Sequence, residues 1–557
     1  MTTSPFQHVY FFVSISLYIF AFLDRVTSKL NYPISSSDIT GFYQLQTKIW
    51  HLNGIQYAEH FGYPDHVPIS QIANYEIVQT TVTGISSLFT KNIFLAGNVN
   101  VVISIYILFY FGFLLSKKFI RNTNNVFHFA AAISIGSLPW ITSRLEHVGL
   151  LYLEFCLAPL FLLNISSKSR KKLILNSISI GTLGAIFGGY VFGFTIMVAI
   201  FCTIVDTVMH KNKQIIIKWL VYWISLVTSF ISILIIFGFF SEGTREINRD
   251  ITDSIHYGGY LFLLFIPTIH ALPQVFGFSF FDDINKQLIR NTESVWMSNQ
   301  GTLVLVLMIL ILFFNFIKKL EIKNSQKIMK LSDENELETS SNEKIFAGLS
   351  IFLLLLFIKG GLGPFISQLI LNPIRAWNRL VFPLSIVIMI LGFSIIARLK
   401  TKILNAFLIL ILMLNIFQMY SNGINLSFPR ISDYNLASSM IKNLQSSLNP
   451  GCAILQFPEL ANDGSGAPRE MRTYDHYLPA ILDDKFNWTY GKLKFKKELT
   501  KPLDSVEIFN LKRNGYCAIE IDKFGVTETE INRIFDSNKL FVIYENYRYK
   551  VLKFKKP

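Results

Sequence analysis

The sequence predicts an α-helical polytopic membrane protein that ends in a small α/β domain. Of its 557 residues, 51% are hydrophobic and only 16% are charged, whereas soluble domains carry about a quarter charged residues. A single hydrophobic core also stops growing near about 300 residues. The apolar residues are concentrated in long runs before residue 421, and short strand-like segments follow. A single soluble domain is therefore excluded.

Eleven apolar runs predict about eleven transmembrane helices, since one span needs about 20 mostly apolar residues. The first, 9–23, follows no charged residue and has no small-residue cleavage site, so we interpret it as a retained helix and not a signal peptide. We leave 261–281 out as a re-entrant or interfacial segment because Pro267 and Pro273 interrupt it. The other runs are 96–115, 126–141, 149–164, 173–187, 190–208, 217–240, 302–317, 345–358, 380–397 and 403–421.

Basic residues beside these runs predict the orientation, because Lys and Arg are enriched in cytoplasmic loops. Four short loops carry three or four of them each: Lys117, Lys118, Arg121; Lys168, Arg170, Lys171, Lys172; Lys211, Lys213, Lys218; and Arg398, Lys400, Lys402. The N-terminus and a hydrophilic linker at 318–344 are then cytoplasmic, and the loops 24–95, 241–301 and 359–380 face outside. This placement also accounts for the net charge of +14 without a nucleic-acid partner.

The predicted domains are a transmembrane domain at 1–421 and an extracytoplasmic domain at 422–557. In the latter, the segments 452–457, 517–521 and 540–544 have the composition of short strands separated by turns. Cys452 and Cys517 each stand at the start of a predicted strand, and an oxidising compartment permits a disulfide between them. Two buried thiols are the alternative. The four cysteines lack the short paired spacing of a zinc site.

Acidic residues in the first outer loop, 24–95, are the candidates for a general base. Asp38 lies near its start, and Glu59 and Asp65 lie farther along. A carboxylate beside the membrane can deprotonate a hydroxyl group if it comes within hydrogen-bonding distance. The alternative for each acid is a solvated or salt-bridged side chain.

Basic residues in two other outer segments are candidates for binding a phosphate. Arg144 and His147 lie in a short turn between two apolar runs, and Arg375 and Arg379 flank Trp377 before the run at 380–397. A guanidinium group matches phosphate geometry, and the N-terminus of a helix adds positive charge. The alternative is a belt of interfacial Trp and Arg side chains. Outer acids combined with outer arginines fit an enzyme that uses a lipid phosphate, although a lipid carrier would also have such arginines.

The arrangement of these motifs resembles the GT-C superfamily of integral-membrane glycosyltransferases, which take sugars from polyprenyl-phosphate donors. The resemblance covers most of the chain. It rests on Asp38 in a long outer loop after the first helix, on an outer C-terminal domain, and on these motifs: Trp50-His51, Gly62-Tyr63-Pro64, Glu146-His147, Gly188-Gly189-Tyr190 and Arg375-Ala376-Trp377-Asn378-Arg379. The tail motifs around Cys452, Asn487-Trp488 and Gly515–Asp522 resemble a bacterial subgroup with such a domain.

The resemblance implies an inverting glycosyltransferase on the extracytoplasmic face of the bacterial inner membrane. Asp38 would be the base, with Glu59 and Asp65 as alternatives; many relatives have two adjacent acids here, whereas Ile39 follows Asp38. Arg375 and Arg379 would neutralise the donor phosphate, assisted by Arg144 and His147. The expected partners are a polyprenyl-phosphate-linked sugar, a cell-envelope glycan or lipid acceptor, and membrane lipid.

No cofactor is expected. His51, His60, Asp65 and His66 include metal-ligating groups, but their spacing matches no standard template, so a divalent metal is the less favoured alternative. The competing function is a flippase for lipid-linked sugars, or a polysaccharide export or polymerisation protein.

Overall fold

The structure of the protein is a computed structural model. It describes residues 9, 12–17, 30–32, 57–58, 63, 67–68, 77–120, 125–142, 148–236, 258–264, 334–369, 374, 376–399, 401–421, 431–458, 469–471, 475–489, 505–535 and 540–555. The chain forms two compact units. Unit 1 comprises Met1–Arg25, Val102–Phe237 and Glu246–Asn425; unit 2 comprises Val26–Val101, Gly238–Arg245 and Leu426–Pro557. Unit 2 thus includes most of the first outer loop, which the sequence assigned to the transmembrane domain.

The helices and strands follow one another in this order: β1 (Tyr57–Ala58), β2 (Val67–Pro68), α1 (Ile77–Ser87), α2 (Ile93–Phe119), α3 (Asn125–Gly136), α4 (Pro139–Thr142), α5 (Arg170–Phe187), α6 (Gly189–His210), α7 (Lys213–Ile236), α8 (Glu334–Phe357), α9 (Leu362–Leu369), α10 (Val381–Ile396), α11 (Thr401–Ser421), α12 (Ile431–Ser447), β3 (Ala453–Phe457), α13 (Tyr477–Leu482), β4 (Asn487–Trp488), α14 (Ser505–Arg513), β5 (Tyr516–Asp522), α15 (Glu528–Ile534), β6 (Leu540–Glu545) and β7 (Tyr549–Phe554). Segments of 3₁₀ helix occupy Val148–Leu162, Ile165–Ser167, Leu261–Leu264 and Trp377–Leu380.

Four helices among the described residues are long and apolar enough to cross a membrane. They are Ile93–Phe119, Gly189–His210, Lys213–Ile236 and Trp377–Ile396, the last joining a 3₁₀ turn to α10. Every residue of α10 is buried, which explains why this helix is apolar on all sides. The predicted fold class is confirmed in its coarse form, a mostly helical membrane protein with a small sheet domain. The count of eleven spans remains a prediction, and the run 302–317 lies outside the described residues.

Two segments of unit 1 differ from the expected structure. The run predicted at 149–164 forms a 15-residue 3₁₀ helix, whose rise of about 2.0 Å per residue extends it to about 30 Å, the thickness of the hydrocarbon core. Of the linker predicted at 318–344, the residues from Glu334 onward are helical and continue into the apolar part of α8. The Glu and Leu residues there are good helix formers, and acids stabilise a helix N-terminus.

The C-terminal part of unit 2 is a sheet with helices on both faces. The strand order is β4-β3-β5-β7-β6; β3 is parallel to β4 and β5, while β7 is antiparallel to β5 and β6. Ile519 and Ile521 belong to the hydrophobic core together with Ile508 of α14 and Ile531 of α15. Successive strand residues point to opposite faces, so Glu520 and Asp522 lie on the other face. All three predicted strands are present.

A disulfide joins the starts of the two central parallel strands. Cys452 directly precedes β3 and Cys517 is the second residue of β5, and the structure pairs them with their Cα atoms 5.8 Å apart. This separation is typical of a disulfide. The other two cysteines, Cys156 and Cys202, are buried free thiols in unit 1.

Candidate active site

The start of the first outer loop is held by asparagine side chains from the beginning of α2. The side-chain amide of buried Asn98 donates to the carbonyl oxygens of Leu30 and Tyr32, at 2.7 and 2.8 Å. That of Asn92 donates to the carbonyl oxygen of Asn31 at 3.1 Å. Three consecutive carbonyl groups are therefore fixed, and Asp38 follows only six residues after Tyr32.

Aromatic packing joins the same segment to the first helix of the C-terminal domain. The ring of Tyr32 meets that of Tyr434 of α12 edge to face, with centroids 5.2 Å apart, and Tyr434 also contacts Phe94 of α2 at 5.6 Å. Aromatic pairs of this geometry add about 0.5–1.5 kcal/mol beyond their burial. The backbone of residues 30–32 thus has a defined position within unit 2.

A second fixed point lies farther along the same loop. Strands β1 and β2 pair antiparallel, and the candidate acids Glu59 and Asp65 lie between them in the sequence. Tyr63, also between these strands in the sequence, packs against Tyr516 of β5, with ring centroids 5.4 Å apart. Tyr63 is therefore attached to the C-terminal sheet, whereas Glu59 and Asp65 lie outside the described residues.

The candidate phosphate-binding arginines belong to a segment of unit 1 that Trp377 secures. Trp377 is fully buried, and its indole N–H donates to Ser367 Oγ of α9 at 2.7 Å. Ser367 Oγ in turn donates to the carbonyl oxygen of Ile374 at 2.5 Å. Ile374 and Ala376, on either side of Arg375, are both buried. These contacts hold the backbone on both sides of Arg375.

Arg379 lies beside the N-terminus of α6. Its guanidinium carbon is 4.5 Å from the ring centre of Tyr190, in the first turn of α6. That helix begins at exposed Gly189 after Gly188, which has a φ of 109° and provides no side-chain cap. A helix N-terminus and a guanidinium group both attract anions. The structure thus brings together two motifs that the sequence had identified separately, and their combination can bind a phosphate.

The position of Arg379 differs in one respect from the expectation. Arg379 was expected just before the N-terminus of its own helix, but it lies within the 3₁₀ turn Trp377–Leu380, which continues directly into α10. The backbone N–H of Val381 is already hydrogen-bonded to the carbonyl oxygens of Asn378 and Arg379. The helix terminus that Arg379 contacts is therefore that of α6.

The remaining predicted site residues fall outside the described part of the chain. These are Asp38, Glu59, Asp65, Arg144, His147 and Arg375. Their roles stay predictions, and so does the phosphate-binding role of Arg379.

Sequence reasoning missed Glu154, in the middle of the 3₁₀ helix Val148–Leu162. Its side chain is fully buried, and neither carboxylate oxygen meets a hydrogen-bond partner from another described residue. By contrast, Asp206, another acid within an apolar run, accepts a hydrogen bond from the Trp219 indole at 3.0 Å. An acid within an apolar run is the signal that would have found Glu154, because such groups are costly in a membrane and tend to be functional.

Sequence reasoning also missed a buried ionic cluster on one face of the C-terminal sheet. Arg548, only 1% exposed, pairs with Asp522 at 2.6 Å, Asp475 at 2.7 Å and Asp433 at 3.3 Å. Burial, together with the charge of Asp522, raises the pKa of neighbouring Glu520 to about 8. The acids come from α12, β5 and the segment before α13, so the cluster ties these elements to the β6–β7 turn.

Two solved structures have folds similar to that of this chain. The crystal structure of ArnT from Cupriavidus metallidurans bound to undecaprenyl phosphate is similar over 99% of this chain and 98% of that chain, with a TM-score of 0.53 and 11% sequence identity. The cryo-EM structure of the arabinofuranosyltransferase AftD from Mycobacteria is similar over 100% of this chain and 40% of that chain. Its TM-score is 0.52 and its sequence identity is 13%. No protein-family profile and no curated protein sequence matches the chain. The predicted resemblance to the GT-C superfamily is confirmed at the level of the fold.

Proposed function

We propose that the protein is a membrane glycosyltransferase that moves a sugar from a polyprenyl-phosphate donor to a cell-envelope glycan or lipid. The observation that carries this proposal is the likeness to ArnT, which spans nearly the full length of both chains. A fold alone does not determine a function, so the proposal also relies on Arg379 beside the N-terminus of α6. The predicted orientation puts the reaction on the extracytoplasmic face of a bacterial inner membrane.

In the proposed reaction, Asp38 accepts the proton of the acceptor hydroxyl group. The hydroxyl oxygen attacks the anomeric carbon, and the bond from that carbon to the phosphate oxygen breaks, so the products are an inverted glycoside and a polyprenyl phosphate. Negative charge grows on the departing phosphate, and Arg375 and Arg379 stabilise it there. Because the leaving group is already a stable phosphate, the scheme needs one base and no cofactor.

A carrier that flips a lipid-linked sugar is the second candidate, and Glu154 favours it. Transporters place ionisable groups within their spanning helices, where these groups couple transport to protons or ions. Glu154 is such a group, since it is buried in the apolar 3₁₀ helix Val148–Leu162. The enzyme should therefore depend on Asp38, whereas the carrier should depend on Glu154.

The decisive experiment is a transfer assay in membranes with radiolabelled polyprenyl-phosphate sugars and native envelope extract. Asp38→Asn should abolish transfer and keep donor binding. Arg375→Ala and Arg379→Ala should lower transfer by about 100-fold or more, as expected for removal of an electrostatic contact to the transition state. The matched control is Arg398→Ala, because Arg398 is an exposed arginine of the same unit paired with Glu343.

Each competing result has a distinct meaning. Full transfer by Asp38→Asn would remove the assignment of the base and direct attention to Glu59 and Asp65. If wild type transfers no sugar from any donor, and Glu154→Gln stops movement of the lipid-linked sugar across the bilayer, the carrier is the function. Equal losses in the Arg379 and Arg398 variants would remove the phosphate-binding role of Arg379.

A further inference from the structure

Three lysines from three of the four basic loops converge near the end of the long 3₁₀ helix of unit 1. Lys118, in the last turn of α2, and Lys168, just before α5, both donate to the carbonyl oxygen of Phe161, the former at 3.0 Å. Lys218 of α7 donates to the carbonyl oxygens of Ile165 and Lys168, at 3.3 and 3.0 Å. We call Lys118, Lys168 and Lys218 the lysine cluster.

Two of these ammonium groups lie close together with no carboxylate between them. Because Lys118 and Lys168 share one acceptor oxygen, their Nζ atoms are no more than about 6 Å apart. Neither Nζ atom is within ion-pair distance of an acid in the part of the chain that the structure describes. Asp206, whose charge acts on Lys168, already accepts a hydrogen bond from the Trp219 indole at 3.0 Å and meets His210 Nε2 at 3.5 Å. The two like charges therefore repel each other.

The surroundings of Lys168 add to this positive potential. Burial and, after it, the charge of Lys172 lower the pKa of Lys168 to about 8. Lys168 also directly precedes Ser169, the N-cap of α5, and a helix N-terminus attracts anions. Lys118 is exposed and the other two members of the cluster are half-buried, so an anion from outside the chain can reach their ammonium groups. A bound anion would relieve the repulsion between them.

The lysine cluster lies where two membrane-spanning helices leave the hydrocarbon core. Lys118 is one residue from the end of α2, and Lys218 is in the second turn of α7; both helices are long and apolar enough to cross a membrane. Only 17% of the most apolar stretch of α7 is buried. Beside Lys218, the side chains of Ile216, Ile217 and Leu220 are more than half exposed. This apolar surface suits the acyl chains of a lipid, whereas a soluble anion has no use for it.

We propose that the lysine cluster binds the phosphate group of an anionic phospholipid. An ammonium group has three N–H donors, and Lys118 and Lys168 each use one on the carbonyl oxygen of Phe161. Their other donors can reach two oxygens of one phosphate group. Basic pockets between transmembrane helices on the cytoplasmic side bind anionic headgroups, and the predicted orientation puts these loops on that side. The inference is independent of the proposed function, since it requires only that the chain spans a membrane.

The test uses the full-length protein in phosphatidylcholine nanodiscs into which phosphatidylglycerol is titrated. A lipid that binds the folded protein raises its thermal midpoint, and the dependence on lipid content gives an apparent dissociation constant. Lys168→Gln keeps an N–H donor for the Phe161 carbonyl group and should weaken binding about tenfold or more, as expected for the loss of a hydrogen bond from a charged group. Lys168→Arg, which keeps the charge, should bind as the wild type does.

The matched control is Lys171→Gln, because Lys171 is an exposed lysine three residues from Lys168 and outside the cluster. In about 1 M salt the screening length is about 3 Å, so diffuse attraction to this lysine is suppressed and the control should change the constant less than about twofold. The midpoint in phosphatidylcholine alone reports folding. If Lys168→Gln lowers that midpoint, Lys118→Gln, at the exposed member of the cluster, repeats the measurement with the same expectation.

Three results would overturn the site. One is a wild-type midpoint that phosphatidylglycerol leaves unchanged. Another is an equal loss in Lys168→Gln and Lys171→Gln, which would indicate diffuse attraction only. The third is a rise in the midpoint with inorganic phosphate, in phosphatidylcholine alone, as large as that with phosphatidylglycerol, which would assign the cluster to a soluble anion and not to a lipid.

Discussion

Arg548→Met should destabilise the C-terminal domain far more than the loss of a surface ion pair. Arg548 is 1% exposed and its two closest partners, Asp522 and Asp475, are 0% and 6% exposed. Removal of one member of a buried ion pair costs about 3–5 kcal/mol, because a buried charge is left uncompensated. Asp522 and Asp475 both lose their partner here, so we expect a loss of about 4 kcal/mol, within this range. This corresponds to about 1000-fold in the local opening equilibrium.

Hydrogen exchange of peptides from β5 and β7 in the full-length protein measures this loss. The control is Lys523→Met, because Lys523 pairs with Glu545 at 3.3 Å on the surface, where an ion pair contributes at most about 1 kcal/mol. The reasoning would be refuted if the exchange rate in Arg548→Met rose by less than about fivefold at pH 7, or if it rose no more than in Lys523→Met.

Three further predictions concern other parts of the molecule. Burial raises the pKa of Glu520 to about 8 from a usual 4.5. Its contribution to stability is therefore complete below pH 4.5 and is lost as the pH rises towards 8. Glu520→Gln should remove this fall in stability with pH, measured by thermal unfolding at pH 5 and pH 8. Gly181→Ala should lower the thermal midpoint in detergent by the equivalent of about 1–3 kcal/mol, since a Cβ atom there overlaps Ser229 and the Leu226 carbonyl group. The control Gly189→Ala should leave the midpoint unchanged, because a Cβ atom at Gly189 meets no atom within 4 Å. Cys452→Ser should destabilise the sheet by up to about 4 kcal/mol in denaturant unfolding, because the disulfide closes a sequence separation of 65 residues.

The sequence predicts those features of the fold that depend on local composition. Apolar runs predicted the helices Gly189–His210 and Trp377–Ile396 within a few residues, and short segments of strand-like composition between turns predicted β3 and β5. It did not distinguish the 3₁₀ helix Val148–Leu162 from an α-helix, because a segment that is apolar on all sides carries no period. It also gave no sign that the first outer loop contacts the C-terminal domain, since nothing local to residues 57–68 reveals that Tyr63 is hydrogen-bonded to Asn514, 451 residues later.

Some residues of the candidate site could likewise be recognised from local sequence, and others could not. Arg379 and the Gly188-Gly189-Tyr190 motif were each recognisable as unusual local sequences, but only the fold shows that they adjoin one another. Asp433, Asp475 and Asp522 carry no local signal, because a sequence does not show that a single arginine pairs with all three. Glu154 is the reverse case, since an acid within an apolar run is a signal that the local sequence carries.

Described contacts connect two parts of the loop 24–95 to the C-terminal domain. The ring of Tyr32 meets that of Tyr434, and the carbonyl oxygens of Leu30 and Tyr32 accept hydrogen bonds from Asn98. Farther along the chain, the hydroxyl group of Tyr63 donates to the carbonyl oxygen of Asn514. Tyr434 and Asn514 belong to the C-terminal domain, so removal of that domain would remove these contacts of both tyrosines. Under the proposed function, whose base belongs to this loop, a truncated protein that lacks residues 422–557 should therefore lose transfer of the sugar.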